Sequence, residues 1–381
     1  MQDDFRVSNF VFRFPPFRGW RAELEQSEIL LDYKGIDICC PHCRGELEQP
    51  GGGQLVCLGC SRRYPIVLDI PDLRVFPDPY IGFAEERAKV EKLAAGFAHF
   101  DFEGFIDFYY GITSVVPPQH AQMYKRGLLA GVDRARDWLA AWETAAGGNA
   151  ERGDALLEIG CGTAPLLEAA KGYASRVGVD IAMRWLVVAK KRLERAGLDL
   201  PLLCACAEAL PFRAPQFDRV VLDSALEHVK DQPKTLAEAR RVLHFSGALF
   251  VATPNRLSLG PDPQTGVWCG SWLPEKWTAA IVRRQGGIPP VRHLLTEGEL
   301  AILLHEAGFG SVDLFRLQIT AAQRARLSPM QQRMLRVYEA GARVPGLTQV
   351  LRRIGPLLHA VARKPENSEK ILRAAPRESR P

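Results

Sequence analysis

The sequence predicts an α/β fold, a mostly parallel sheet covered by helices on both faces, preceded by a small metal-bound module. Three observations predict it. The stretch Asp154-Ala-Leu-Leu-Glu158-Ile-Gly160-Cys-Gly162-Thr163-Ala164 is an apolar run ending in an acid and then a glycine turn. A second apolar run, Arg176 to Asp180, also ends in an acid. Two Cys-x-x-Cys pairs, Cys40/Cys43 and Cys57/Cys60, stand upstream with thirteen residues between them.

Ala155 to Ile159 has the near-continuous apolar character of a central parallel strand buried on both faces. Gly160 and Gly162 permit a tight turn and close approach of a ligand. Leu166, Leu167, Ala169 and Ala170 give a short helix ending near Gly172. Asp180 closes the next strand, where a carboxylate can accept both hydroxyls of a ribose. A dinucleotide fingerprint would need Gly or Ala where Pro165 stands, and Glu158 would repel a pyrophosphate. A phosphate-binding loop would need a following Lys-Ser/Thr. An acid at Glu158 instead suits a nucleoside with a cationic end, which is the chemistry of S-adenosylmethionine (SAM).

Further elements follow in order. Pro201 to Cys206 reads as a third strand, leading to Ala207-Glu208-Ala-Leu210-Pro211-Phe212. Phe217 to Asp223 is a fourth, leading to Ser224-Ala-Leu-Glu227-His228-Val. Arg240 to Asn255 gives a helix end, a glycine turn at Gly247 and a fifth strand. Thr296 to Phe309 is a helix, with a Thr296/Glu299 capping box and Gly308 at its end. Ser311 to Ile319 is a sixth strand. The segment from about 154 to 320 resembles the class I SAM-dependent methyltransferases, particularly the ubiquinone-biosynthesis subgroup, and Leu357 to Lys364 resembles their final strand. The resemblance implies a Rossmann-like, seven-stranded methyltransferase domain spanning 151–364, with helical insertions at 256–295 and 320–356. It implies that Glu158, Gly160 and Gly162 cradle the methionine end of SAM and that Asp180 holds the ribose. Ala207 and Glu208 would lie beside the adenine, and Asp223 would border the methionyl group. Two positions depart from the family: Ala164 replaces a frequent glycine, and Cys206 replaces a frequent Asp.

The four paired cysteines have the spacing of a tetrahedral zinc site with two knuckles, so Cys40, Cys43, Cys57 and Cys60 are the expected metal ligands. With Ile36-Asp-Ile-Cys before them and Tyr64-Pro65-Ile-Val-Leu-Asp-Ile70-Pro71 after, residues 35–75 resemble the small zinc-ribbon family whose members activate tRNA and protein methyltransferases. A ribbon of this size needs its Zn2+ to fold. It reads as a structural module docked on the larger domain in preference to a nucleic-acid contact. His42 should point outward, and Cys161, Cys204, Cys206 and Cys269 read as small buried fillers.

Residues 1–34 form an N-terminal extension and 76–150 a helical cap or linker. Phe97, Phe100, Phe102, Phe105 and Phe108 belong to a helix-forming stretch, read as core in preference to a substrate platform. Helical periodicity resumes over Tyr124 to Trp142, and Gly147-Gly148-Asn149 is the hinge into the first strand. The 256–295 insertion carries Trp268, Trp272 and Trp277, either a substrate wall or lid or a satellite apolar cluster. Residues 319–381 hold 13 Lys/Arg against 4 Glu, so +9 of charge sits there and −4 on the rest of a +5 chain. Arg333, Arg336, Arg343, Arg352 and Arg353, interleaved with apolar residues, give 324–356 either a surface for anionic membrane or phosphates or a simply solvated face. Residues 365–381 have the composition of a disordered tail.

The 381 residues suffice for one α/β domain with additions. No apolar run is long enough to span a bilayer, and Met1-Gln-Asp-Asp-Phe-Arg-Val does not resemble a signal peptide. A cytoplasmic protein is expected, with room for a peripheral position at the inner membrane surface. His228 is the candidate general base, with helix packing as its other role and Glu227 as a weaker candidate. The fourth strand is followed neither by Asn/Asp-Pro-Pro-Tyr/Phe nor by Pro-Cys, which disfavours amino methylation of adenine and thiolate chemistry on cytosine. A small-molecule, saccharide or lipid-linked acceptor is expected. An RNA base is the less favoured alternative, and a non-catalytic SAM-fold partner a further one.

Overall fold

The computed structural model describes residues 32–51, 53–113, 116–148, 154–260, 262, 265–315, 324, 329–341, 343–344, 346 and 353–366. The expectations for residues 1–31, for the parts of the 320–356 insertion not named here (Arg352 among them), and for the tail beyond 366 lie outside them.

Seven strands form one sheet: β7 (Ala155–Ile159), β8 (Ser175–Asp180), β9 (Leu202–Cys204), β10 (Phe217–Asp223), β11 (Leu243–Pro254), β12 (Ser311–Phe315) and β13 (Leu357–Arg363). Their order is β12-β13-β11-β10-β7-β8-β9. β13 alone runs antiparallel, against both β11 and β12. The expected sixth and last strands are therefore present, and their reversed pairing places β13 between β11 and β12. β11 begins directly after its preceding helix, upstream of Gly247, with a register shift against β10 between Phe217 and Arg219.

The strands are apolar on both sides because both faces are covered. Leu156, Val221, Phe250 and Val361 point to one core, while Leu157, Val220, Leu249 and Ala360 point to the other. The first core is closed by α1 (Phe83–Gly96), α2 (Phe102–Gly111), α4 (Gly131–Ala145), α5 (Pro165–Ala169) and α6 (Met183–Arg195). There Trp142 lies 3.8 Å, centroid to centroid, from Phe250. Phe102 and Phe105 are fully buried, as a core role requires, whereas Phe100 stays exposed. The expected helix over Tyr124 to Trp142 is two: α3 (Pro118–Leu129) and α4 meet at Ala130.

The second core is closed by α7 (Gln232–Val242), α9 (Glu297–Glu306) and the ribbon. The ribbon contains β1 (Asp32–Tyr33), β2 (Ile36–Asp37), β3 (Leu47–Glu48), β4 (Gln54–Cys57), β5 (Arg63–Val67) and β6 (Ile70–Pro71). It docks at the β9 edge through backbone pairing: Leu73 N–H donates to Cys204 O at 2.7 Å and Cys39 N–H to Pro211 O at 2.8 Å. Asp37 and Gln216 exchange two hydrogen bonds, at 2.9 and 2.8 Å. Arg44 meets Glu238 of α7 at 2.6 Å. Ile38, Leu47 and Leu73 complete the burial, so the ribbon shares a core with the sheet. The α9 cap forms as expected, with reciprocal Thr296 and Glu299 bonds.

Candidate active site and metal centre

The sulfur atoms of Cys40, Cys43, Cys57 and Cys60 all lie within 4.8 Å of one another. The Cys40–Cys60 and Cys43–Cys57 separations are 3.6 and 3.4 Å. Thiolates at about 2.3 Å from a tetrahedral zinc would be about 3.8 Å apart, so the donor set fits the metal. Gly45 is required here, since a Cβ would stand 3.1 Å from both Cys43 Sγ and Cys57 Sγ. His42 is exposed and is not one of the four clustered donors. The remaining cysteines divide: Cys161, Cys204 and Cys206 are buried fillers, but Cys269 is half-exposed in a left-handed conformation (φ 51°).

The second site lies at the carboxyl ends of β7, β8 and β10. Gly160 (φ 77°) and Gly162 (φ 51°) take left-handed conformations, and a Cβ on Gly160 would meet Ala225 Cβ at 2.4 Å. A Cβ on Gly162 would meet only open space, which leaves room for a ligand at the loop. Ala164, where a glycine is frequent, is also left-handed (φ 58°), a conformation that costs a Cβ-bearing residue about 1 kcal/mol. Arg192, fully buried, supports the loop from behind. Its Nε donates to Thr163 O at 2.7 Å and its Nη2 to Leu128 O at 2.8 Å.

Three acids converge. Glu158 is buried, and its Oε2 has no hydrogen-bond partner. Burial and the nearby Asp223 and Asp180 push its pKa well above the ordinary carboxylate range. Burial also raises Asp180 and Asp223 to about 6 each. Asp180 Oδ2 accepts from Gly162 N–H and Oδ1 from Ala182 N–H, both at 2.8 Å, which locks the loop to β8. Each oxygen retains a further lone pair for a hydroxyl donor. A buried, unsatisfied carboxylate among like charges is the arrangement a bound cation would relieve. These residues fit SAM, whose ammonium and sulfonium are positive and whose ribose offers a diol.

Ala207 lies at the same end of the sheet, buried beyond β9. Glu208 follows it, its Oε1 accepting from the Lys230 and Asp231 amides at 2.7 and 3.1 Å, at the amino end of α7. That carboxylate satisfies two amides at the start of α7. Cys206 is buried with Sγ 3.6 Å from Phe76 O.

His228 ends the 3-10 turn Leu226–His228. Its Nδ1 lies 3.0 Å from Val291 O and 3.3 Å from the Tyr80 hydroxyl, while Val291 N–H donates to Tyr80 Oη at 2.9 Å. A carbonyl can only accept, so the proton is assigned to Nδ1, while Nε2 lies 3.8 Å from Glu227 Oε1. Burial lowers the His228 pKa, keeping the ring neutral near pH 7. Glu227 is fully buried, accepts from Thr253 Oγ1 at 3.0 Å, and is raised by burial to about 7.

Sequence reasoning missed the strap from Asp72 to Gly82, which runs from the ribbon past the site. Arg74 pairs with Asp72 and Glu86 and donates to Ile181 O, while Arg184 pairs with Asp78 and Glu86. These ionic partners are dispersed in sequence, so no local motif marks them. Tyr80 likewise carries no signal of its own.

The sheet order, with one reversed strand beside the last parallel one, and the acid-flanked glycine loop define the class I methyltransferase fold. Comparisons agree at the level of domains: a family model described as a methyltransferase domain matches residues 157–251, and a Trm112p-like protein model matches 38–67. The chain thus joins a methyltransferase domain to a Trm112p-like zinc ribbon. It is similar to the ubiquinone biosynthesis O-methyltransferase of Dinoroseobacter shibae, 33% identical over 166 residues, 43% of this chain and 63% of that one. It is also similar to the ubiquinone/menaquinone biosynthesis C-methyltransferase UbiE of Bordetella avium, 37% identical over 117 residues, 29% of this chain and 44% of that one. The chain therefore spans less than two thirds of these relatives' lengths. Among solved structures, an S-adenosylmethionine-dependent methyltransferase from Mesorhizobium loti aligns with TM-score 0.42 at 21% identity, covering 61% of this chain and 100% of that one.

Proposed function

We propose that the protein is a SAM-dependent methyltransferase acting on a small-molecule, saccharide or lipid-linked acceptor. The observation that carries this reading is the orphaned, buried Glu158 carboxylate beside the open position at Gly162, with Asp180 and Asp223 adjoining. In this reading Glu158 holds the ammonium, Asp180 the ribose hydroxyls, and Asp223 borders the methionyl group; Ala207 flanks the adenine. When bound, SAM supplies an already activated methyl group. The protein's own work is to orient the acceptor in line with that methyl and to exclude water. In this reading His228 takes the proton from an acceptor hydroxyl, with Nδ1 facing Val291 O and the Tyr80 hydroxyl and Nε2 3.8 Å from Glu227 Oε1. Residues 35–75 serve as the structural ribbon, 76–150 as the cap over the cofactor end, and 151–364 as the catalytic domain.

The test is transfer of labelled methyl from SAM into a cell extract fractionated into RNA, protein, lipid and small molecules. Label in the lipid or small-molecule fraction is expected, and label confined to RNA would overturn the acceptor assignment. His228→Ala should lower transfer by about a hundredfold, the lower end of general-base contributions, while SAM affinity stays unchanged.

A further inference from the structure

The loop between β11 and α9 is a built platform. The Asn255–Leu295 bridge closes its neck, and Arg256 N–H donates to Leu295 O at 2.9 Å. Inside it, Arg292 and Asp262 form a buried pair at 2.7 Å. Its helix α8 (Glu275–Arg284) buries Val282 and bonds back to the Gly270–Trp272 turn through Thr278 Oγ1. On this fixed base the three tryptophans are not a buried satellite cluster, although Trp272 Nε1 donates to Ser258 O at 3.2 Å. Trp268, Trp272 and Trp277 are 56%, 57% and 59% exposed. Ile281, one turn beyond Trp277 on the same helix face, is exposed too, as are Ile288 and Val291.

The charges of the platform are one-sided. Arg256 pairs with Glu299 and Arg292 with Asp262, which leaves Lys276, Arg283 and Arg284 of α8 against Glu275. Exposed tryptophans, branched aliphatics and adjacent cations together match the boundary between acyl chains and anionic headgroups. A second copy is a poor occupant, because a two-fold contact through this face would set the same cations against each other. RNA could stack on the tryptophans but would leave Ile281, Ile288 and Val291 uncovered, whereas acyl chains cover the aliphatics and the indoles alike. We propose that this outer face seats the protein on an anionic membrane surface. The seat would put the lipid beside Val291, the residue bonded to His228. The surface interaction itself does not depend on the methyl-transfer reading.

The test uses the zinc-loaded full chain without SAM or acceptor, sedimented with phosphatidylcholine vesicles with or without phosphatidylglycerol. Binding should require phosphatidylglycerol and weaken about thirtyfold in the double variant Arg283→Gln/Arg284→Gln, given about 1 kcal/mol for each cation near an anionic surface. Trp277→Ser/Ile281→Ser should also lose binding while keeping the native circular dichroism spectrum. Brominated phosphatidylglycerol should quench the tryptophan emission of the unaltered chain, a readout free of any folding defect. A native chain that stays in the supernatant unquenched, or that binds single-stranded RNA but no vesicles, would overturn the proposal. So would self-association lost on the Trp277→Ser/Ile281→Ser change.

Discussion

Glu158 is buried with its Oε2 lacking a hydrogen-bond partner, and Asp223 and Asp180 add repulsion. The pKa values of Asp180 and Asp223, about 6 in the folded chain, exceed the ordinary value of 3.8. Between those limits the folded state holds protons that the unfolded state has released, so the empty fold loses stability as pH rises through that window. A bound cation reverses this preference, and SAM affinity should weaken as pH falls below about 6. Glu158→Gln should raise the melting temperature of the empty protein at pH 7.5, on the order of 2 °C for each kcal/mol of relieved repulsion. The same change should weaken SAM about thirtyfold, the loss of one charge-assisted bond. Thermal melts with and without SAM check both; a variant that melts lower yet binds SAM normally contradicts the account. The loop acids were legible in the sequence because they close apolar runs. The amides that Glu208 meets were not, since they depend on where α7 starts in space. Ala164 was seen as a departure, but only the backbone reveals that it is left-handed.

At the scale of elements, the ribbon is part of the sheet's packing. Its strand pairing at Cys204, its Arg44–Glu238 pair and its share of one core tie zinc ligation to the β9 edge. The strap leaving it reaches Ile181 through Arg74 and His228 through Tyr80. The cysteine spacing made the ribbon legible, and apolar runs made most strands so. The docking was not, because Asp37–Gln216 and Arg44–Glu238 join residues with no common pattern. The break between α3 and α4 at Ala130 was hidden because apolar periodicity continues across it. Removing zinc with a strong chelator should lower the main unfolding transition by on the order of 5 °C or more, since structural zinc supplies the ribbon's folding energy. Calorimetry with metal analysis checks this; an unmoved transition after complete zinc loss would show that the ribbon does not support the sheet.

For the whole molecule, charge and chemistry are segregated. The ribbon and α7 cover one face of the sheet, the cap helices the other, and the carboxyl ends of the strands carry the acids. The basic segment 324–356, read as a surface for anionic membrane or phosphates or as a solvated face, is described at 324, 329–341, 343–344, 346 and 353–356; there α10 (Pro329–Gly341) is a helix with Arg333 and Arg336 exposed. Among the described residues, no helix is long and apolar enough to cross a membrane. The tryptophan platform supplies an exposed apolar surface that composition alone could not distinguish from a buried cluster, since exposure is a property of packing. The central claim is that the acid-lined loop holds SAM. Isothermal titration of SAM into the zinc-loaded chain at pH 7.5 tests it most directly. One SAM per chain, with affinity weakening toward pH 5, is the predicted result; no binding heat from folded, zinc-loaded protein would contradict it.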